Sequence, residues 1–327
     1  MQNGFKLLLK LLFALLGLFA LYTLFAGYGF HNIVVELKRV NIHFVWILLT
    51  FTPTLLCYAL AWWLCTSDHD QAMGRFSFAK LYTFFRMTVI SIAWNNLTPF
   101  LKVAGEPLKA LMLKQELSGD MKSAIISTVI YNYIHLMGTL AAFVLAALWL
   151  LLLYPLTALV AVGAWVVLVA SLLLLLLFFV APSWFKVTKK VWAQKWYRGM
   201  QELNAFFKTH PRRAAVAILL EVGARFIEGI TFYYAFWILG PAISLGSGAL
   251  IEVARTLIDT IFFFVPYQIG SREQGLYYFM SEVLLIGSEG YLAAAMLYRL
   301  VELLWAAIGY FWWVIYFKRR CPVAVKE

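Results

Sequence analysis

The chain has 327 residues, of which 63% are hydrophobic and only 13% are charged, and its formal net charge is +11 at pH 7. Soluble domains are about half apolar and one-quarter charged, and a chain of this size cannot hide so much apolar surface from water. This composition excludes a soluble globular enzyme, a disordered chain, a coiled coil and a disulfide scaffold. It predicts an all-α polytopic membrane protein, in which the basic surplus lies on the cytoplasmic side and implies no nucleic-acid partner.

The first apolar run spans residues 7–26, with Lys6 directly before it and Lys10 near its start. A secretory signal also begins with cations, but its apolar region is only about 7–15 residues long. A run of about 20 apolar residues is long enough to cross a bilayer. We therefore predict a transmembrane helix here that is not cleaved.

Seven further apolar windows are long enough to cross a bilayer, which predicts about eight long transmembrane helices in total. These windows are residues 42–65, 81–100, 124–154, 156–181, 214–239, 249–265 and 291–317. Two shorter segments, 106–117 and 273–286, have helical apolar spacing but little length. We expect each of them to be either a short span or a re-entrant helix.

The segment 182–213 carries eight lysines and arginines against one acid, Glu202. Because cytoplasmic loops are enriched in such cations, we place this segment in the cytoplasm, together with both termini, which are basic as well. Aromatic and aliphatic residues recur among the cations as in an amphipathic helix that rests on anionic inner-leaflet lipids. We predict one integral membrane domain over 1–327, with a first half at 1–155 and a second half at 156–327.

The two short segments begin in the same way. Pro99 and Pro266 each follow an apolar helix, and an acid, Glu106 or Glu273, lies seven residues after each proline. If both short segments cross, each half contains five elements, and an odd number inverts the second half relative to the first. Inverted halves with matching interrupted helices are typical of transporters that bind substrate near mid-membrane. The alternative is a chance spacing, against which the shared order of flanking helices argues.

Polar residues gather around both breaks, where free backbone groups must face protein or water. Helix N-termini near Glu106 and Glu273 would attract an anionic headgroup, although an acid in a first helical turn also simply favours the helix dipole. Arg272 is the strongest candidate for holding a phosphate, because a guanidinium can bind it bidentately, and Lys109 is the second. The predicted substrate-binding residues are Asn95, Asn96, Glu106, Lys109, Arg255, Asp259, Gln268, Arg272 and Glu273.

Further ionisable residues lie inside the apolar helices with alternating sign. They either neutralise one another in the bundle or contact the substrate. His135 is expected to be a satisfied interior histidine rather than a proton relay, because no second histidine is near it in sequence. The supporting intramembrane charges are Glu221, Arg225, Glu228, Glu252, Arg299 and Glu302.

The sequence contains no metal-ligand spacing, no glycine-rich phosphate loop and no nucleophile with a nearby base. We therefore predict no metal, no cofactor and no catalytic residue.

The broken segments read VAGEPLK at 103–109 and PYQIGSRE at 266–273. They resemble the Gly-Gly-Glu-Pro and Pro-x-x-Ile-Gly-x-Arg-Glu segments of a flippase-like membrane family that includes the transmembrane region of lysylphosphatidylglycerol synthases. Ala104 replaces the first glycine of that pattern, and Gln274 precedes Gly275. The resemblance extends from the second helix to the last, and members found near hopanoid biosynthesis genes are especially similar at the second motif.

The resemblance implies a bacterial inner-membrane protein that moves a lipid between leaflets or helps to move it. We expect no synthase activity, because aminoacyl transfer in the namesake enzymes belongs to a further soluble domain and this sequence ends ten residues after its last predicted helix. Three functions stay open, in this order. They are a lipid translocase, a membrane enzyme acting on a lipid phosphate, and a partner that recruits a lipid-biosynthesis enzyme through 182–213.

Overall fold

The computed structural model describes residues 40–66, 77–97, 105–117, 121–185, 191–239, 242–286 and 290–320, together with Val35 and Lys38. These residues are almost entirely helical and contain no strand, which confirms the predicted polytopic all-α membrane fold. The predicted first helix at 7–26, the terminal lysines Lys6 and Lys10, and the first break around Pro99 lie outside the described residues.

Ten helices follow one another in the described part of the chain. Phe51 interrupts the first of them locally, a 3-10 turn at Pro266–Gln268 precedes the ninth, and a π-helical turn at Phe279–Val283 continues it. The helices are α1 His43–Leu64, α2 Phe78–Leu97, α3 Gly105–Leu117, α4 Met121–Leu153, α5 Ala158–Phe185, α6 Val191–Thr209, α7 Pro211–Leu239, α8 Leu245–Ile261, α9 Ser271–Tyr278 and α10 Tyr291–Arg320.

Four helices of the described chain are long and apolar enough to cross a membrane. They are His43–Leu64, Met121–Leu153, Ala158–Phe178 and Tyr291–Tyr316. The windows predicted at 81–100, 214–239 and 249–265 also form helices, namely α2, α7 and α8. These three fall short of the same criteria because α2 and α7 carry many polar side chains and α8 has only 17 residues.

Glycine brings α7 and α8 into direct backbone contact. A Cβ atom added at Gly229 of α7 would lie 2.4 Å from the Ala249 Cα atom of α8, and one added at Gly248 would lie 2.6 Å from the Gly229 carbonyl oxygen. Small residues permit such close crossings of membrane helices. The crossing places the neighbouring acids Glu228 and Glu252 side by side in the interior.

Gly229→Ala is expected to lower the free energy of unfolding by about 1–3 kcal/mol, because the added methyl group meets backbone that cannot move aside. Gly223→Ala on the same helix is the control, since a Cβ atom at Gly223 meets nothing within 4 Å. Alanine favours a helix by up to about 1 kcal/mol over glycine, so the control should be neutral or stabilising. Thermal unfolding in detergent measures both, and equal midpoints would contradict the proposed close crossing.

The basic segment 182–213 contains the amphipathic helix α6, as its apolar spacing predicts. Met200, Leu203 and Phe206 on its apolar face are buried, and α6 packs against α4, α5 and α7. This part of the apolar face therefore covers the helix bundle rather than the lipid surface. The side chains at 186–198 lie outside the described set, so an anionic-lipid partner for their cations stays a prediction.

The two predicted halves contain corresponding helix contacts. Helix α2 packs against α1 and α3, just as α8 packs against α7 and α9. Helix α3 contacts α4, just as α9 contacts α10, and α1 contacts α7 between the halves. A repeat of five elements would produce this order of contacts, whereas the inverted orientation of the halves stays a prediction.

Candidate functional site

The break between α8 and α9 is a tight turn that is closed by its own glutamate. Gly270 has a φ of 79°, in the left-handed region that glycine adopts without strain. Its N–H group donates to Glu273 Oε2 at 2.8 Å, so this side chain caps the start of α9. Glu273 therefore has a structural role in this turn, whereas its contact with a substrate stays a prediction.

The start of α3 is held by α2. Gly105 N–H donates to Asn95 Oδ1 at 2.7 Å, and the Gly105 carbonyl oxygen accepts from Ser91 Oγ at 3.1 Å. A Cβ atom at Gly105 would lie 2.3 Å from the Ser91 carbonyl oxygen, so only glycine permits this approach. Asn95 thus positions the short helix that carries Glu106, while Asn96 is half-buried beside it.

Arg255 on α8 joins several buried carboxylates. Its Nε donates to Glu252 Oε2 at 2.8 Å and its Nη1 to Asp259 Oδ2 at 2.9 Å, both on the same helix. Its Nη2 donates to Glu228 Oε1 on α7 at 3.3 Å, and Tyr298 of α10 also hydrogen-bonds that carboxylate. Arg255 therefore pairs with both acids of its own helix and with carboxylates of two other helices, Glu228 of α7 and Glu302 of α10.

Arg272 on α9 is surrounded by acceptors. Its Nε and Nη2 donate to the two oxygens of Asp259 at 2.8 and 2.5 Å, its Nη2 also donates to Gln268 Oε1 at 3.0 Å, and its Nη1 pairs with Glu302 of α10. The side chain is almost fully buried. Two carboxylates and one amide oxygen therefore already occupy this guanidinium.

Arg299 ties α10 to the turn before α9. Its Nη2 lies 2.6 Å from Glu273 Oε1, and its Nη1 donates to the Tyr267 carbonyl oxygen at 3.1 Å. Arg299 and Glu302 share one helix, yet each has its ion-pair partner on α9. The base and the acid on α10 therefore each form an ion pair with α9.

Together these side chains form one buried ionic group, which we call the α8–α9 cluster. Its ionisable members are Glu228, Glu252, Arg255, Asp259, Arg272, Glu273, Arg299 and Glu302. Three guanidiniums face five carboxylates, which gives a formal charge of −2 when every group is ionised. The ion pairs of the cluster link α7, α8, α9 and α10.

A second polar group lies at the start of α3. Lys109 Nζ lies 3.0 Å from Glu106 Oε1, one helical turn away, and 4.6 Å from the ring centroid of Tyr131 on α4. Asn132, also on α4, interacts with the Glu106 carboxylate. The ion pair is therefore anchored on an aromatic face, where a cation is attracted by the π-system.

His135 connects this group to α7. Its Nδ1 lies 2.7 Å from Glu221 Oε2, and its Nε2 lies 3.0 Å from Arg225 Nη2. These partners fit a neutral imidazole that donates from Nδ1 and accepts at Nε2. His135 is thus satisfied, as its sequence context predicts, but 38% of its side chain is exposed, whereas Glu221 is fully buried. We call Glu106, Lys109, Tyr131, Asn132, His135, Glu221 and Arg225 the α3–α4 cluster.

Tyr58 on α1 links the two clusters. Its hydroxyl group donates to Glu228 Oε2 at 3.4 Å, and its ring lies 5.5 Å from the Arg225 guanidinium and 5.5 Å from the His135 ring. The two clusters and Tyr58 therefore form a continuous polar belt from α3 to α9. No sequence pattern distinguishes Tyr58, Tyr131 or Tyr298 from packing tyrosines, so sequence analysis misses them.

Arg86 lies apart from this belt. It pairs with Glu116 at 2.7 Å and joins α2 to α3. Its guanidinium carbon lies 5.1 Å from the Tyr316 ring centroid. This pair provides a control for the belt residues.

The comparisons with known proteins give one family. No curated protein matches the chain. The family model described as the lysylphosphatidylglycerol synthase TM region matches residues 7–309, a range that contains both breaks and the whole belt. The chain therefore belongs to the lysylphosphatidylglycerol synthase TM region family and is a membrane protein tied to lipid metabolism.

Proposed function

We propose that this protein is a lipid translocase of the bacterial inner membrane, with both termini in the cytoplasm. The polar belt takes the headgroup of an amphipathic, anionic lipid from one leaflet to the other while the tails stay in the bilayer. The continuity of the belt carries this proposal, because it joins the two short helices that follow the breaks in the two halves. Ionisable groups inside a membrane bundle are costly and commonly mark substrate pathways.

The exposure of the belt supports transport. Its side chains are partly accessible at each end, 30% for Glu106 at one and 23% for Arg299 at the other. Between them, the His135 side chain is 38% exposed, whereas Glu221 and Glu252 are fully buried. Accessible polar side chains beside buried charges are what a site reached by alternating access needs.

The ion pairs of Arg272 suggest how a headgroup is accepted. A lipid phosphate replaces Asp259 or Glu302 on the guanidinium, whose planar fork suits either anion. The displaced carboxylate then takes up a proton or pairs with a cationic group of the same headgroup. A buried carboxylate that loses its cation is costly, so this proton or cationic group accompanies the exchange.

Headgroup movement in proteoliposomes tests the proposal directly. The purified chain is reconstituted with labelled anionic, zwitterionic and polyprenyl-phosphate lipids, and a hopanoid lipid is added because of the similarity of the second motif. We expect translocation of an anionic lipid without chemical change. Mass spectrometry of the recovered lipids detects the enzyme alternative as a new product, and movement of no lipid by folded protein would contradict the translocase.

Glu106→Gln is expected to slow this translocation by about tenfold or more, since a charge-assisted hydrogen bond contributes about 1.5–3 kcal/mol. Glu116→Gln is the matched control on the same helix. Glu116 also pairs with a cation, Arg86 at 2.7 Å, but it lies off the belt. Its rate should stay within about twofold of the native rate, and equal rates in the two variants would remove Glu106 from the pathway.

A further inference from the structure

An apolar cavity of about 410 Å³ lies between α4, α5, α8 and α9. Its α8 wall, which includes Val253 and Leu257, lies on the helix face opposite Arg255 and Asp259, as the 3.6-residue period requires. The remaining lining consists of aliphatic and aromatic side chains and glycine, and it contains no charged residue. Helix α8 therefore has residues of the ionic cluster on one face and apolar residues that line the cavity on the other.

The cavity opens towards lipid. Leu159 and Ile261 on its rim are 74% and 53% exposed. Only 17% of the apolar window of α5, which forms one wall, is buried inside the protein. The cavity is therefore continuous with the lipid-facing surface of a membrane-crossing helix, and an apolar space of this kind does not hold ordered water.

We propose that this cavity holds one hydrocarbon chain of the translocated lipid, on the side of α8 opposite the cluster that receives its headgroup. The assignment to the translocated lipid rests on the proposed function. Pockets of about 300–1,000 Å³ with apolar walls are typical of small-ligand sites, and a flexible chain entering from the bilayer buries its methylene groups here. The floor of the cavity, formed by buried Phe143 and Ala147 of α4, is reached from the membrane through this opening.

A larger side chain at position 163 can fill the cavity without a steric clash. Gly163 lines it, and a Cβ atom added there meets no atom within 4 Å, so a larger side chain extends into free space. A Cβ atom at Gly275, by contrast, would lie 2.8 Å from the Ile258 side chain. Gly223 on α7 is equally open but does not line the cavity, so Gly223→Phe is the matched control for Gly163→Phe.

Photolabelling tests whether the cavity binds a hydrocarbon chain, and it does not require that the protein transports a lipid. The full chain in nanodiscs is irradiated with a phospholipid that carries a diazirine in one acyl chain, and the labelled residues are mapped by mass spectrometry. We expect label on the α4 floor at Phe143 or Ala147, reduced about tenfold by Gly163→Phe and unchanged by Gly223→Phe. Label confined to exposed α5 residues such as Leu172, or floor labelling that Gly163→Phe leaves intact, would overturn the site.

The transport assay separates this inference from the proposed function. Floor labelling in a protein that translocates no lipid would refute the translocase, and with it the assignment of the chain to a transported lipid. If the native chain translocates, Gly163→Phe should slow it about tenfold relative to Gly223→Phe. Normal transport by a Gly163→Phe variant that has lost floor labelling would show that the chain site serves another lipid.

Discussion

Arg255→Met should lower the free energy of unfolding by about 3–5 kcal/mol, because it leaves a group of buried carboxylates without their shared cation. Arg255 is 5% exposed and donates to Glu252, Asp259 and Glu228. Methionine has a similar length but cannot neutralise or hydrogen-bond any of them. Unfolding in mixed detergent micelles measures the change, and a loss of less than about 1 kcal/mol would show that the cluster does not depend on this guanidinium.

Two companion variants identify charge as the cause. Glu252→Gln added to Arg255→Met removes one uncompensated carboxylate, so the double variant should be more stable than Arg255→Met alone. Arg86→Met is the control for removing an arginine as such. Arg86 is 26% exposed and pairs with one acid, Glu116, so its loss should cost only about 1 kcal/mol. Equal losses at positions 255 and 86 would contradict the argument.

Local patterns make the second break predictable. The turn before α9 follows from Pro266, Gly270 and Glu273, because a proline, a left-handed glycine and a first-turn acid each act within a few residues. Pairing of Arg255 with Glu252 and Asp259 is equally local, since residues three and four apart share a helix face. The structure contains all of these contacts.

Contacts between helices cannot be predicted from such local sequence patterns. Arg299 and Glu302 alternate in sign on one helix, yet their partners are Glu273 and Arg272 on α9. Arg272 stands out in sequence as a phosphate ligand, whereas the carboxylate of Asp259 that occupies it lies 13 residues away. Such pairs depend on how the helices cross, which hydropathy does not encode.

Hydropathy also underestimates α7, one of the helices that carry the belt. Glu221 and Glu228 on α7 lower its mean hydropathy, although both are buried against other helices. Helix α5 lies at the other extreme, with an almost wholly apolar sequence and mostly exposed side chains. A helix that faces lipid thus has a stronger hydropathy signal than a helix that lines a polar interior, although the apolar window 214–239 still predicts α7 from sequence.

Arg272→Lys is expected to slow translocation of an anionic lipid by about ten- to a hundredfold. Lysine keeps the positive charge but loses the planar guanidinium fork. This fork holds both oxygens of Asp259 and would hold two oxygens of an incoming phosphate. Losing charge-assisted hydrogen bonds costs about 1.5–3 kcal/mol, and each 1.36 kcal/mol changes a rate about tenfold. Arg86→Lys, which changes the same group off the belt, should stay close to the native rate.

Glu302→Gln separates substrate binding from a structural role. Glu302 competes for Arg272, so removing its charge makes the guanidinium more available to a phosphate and should leave translocation as fast as in the native chain or faster. If Arg272 only holds α9 against α10, both substitutions weaken the same ion pair and both should slow transport. Rates that move in opposite directions support headgroup exchange at Arg272, and parallel losses would assign the residue to packing.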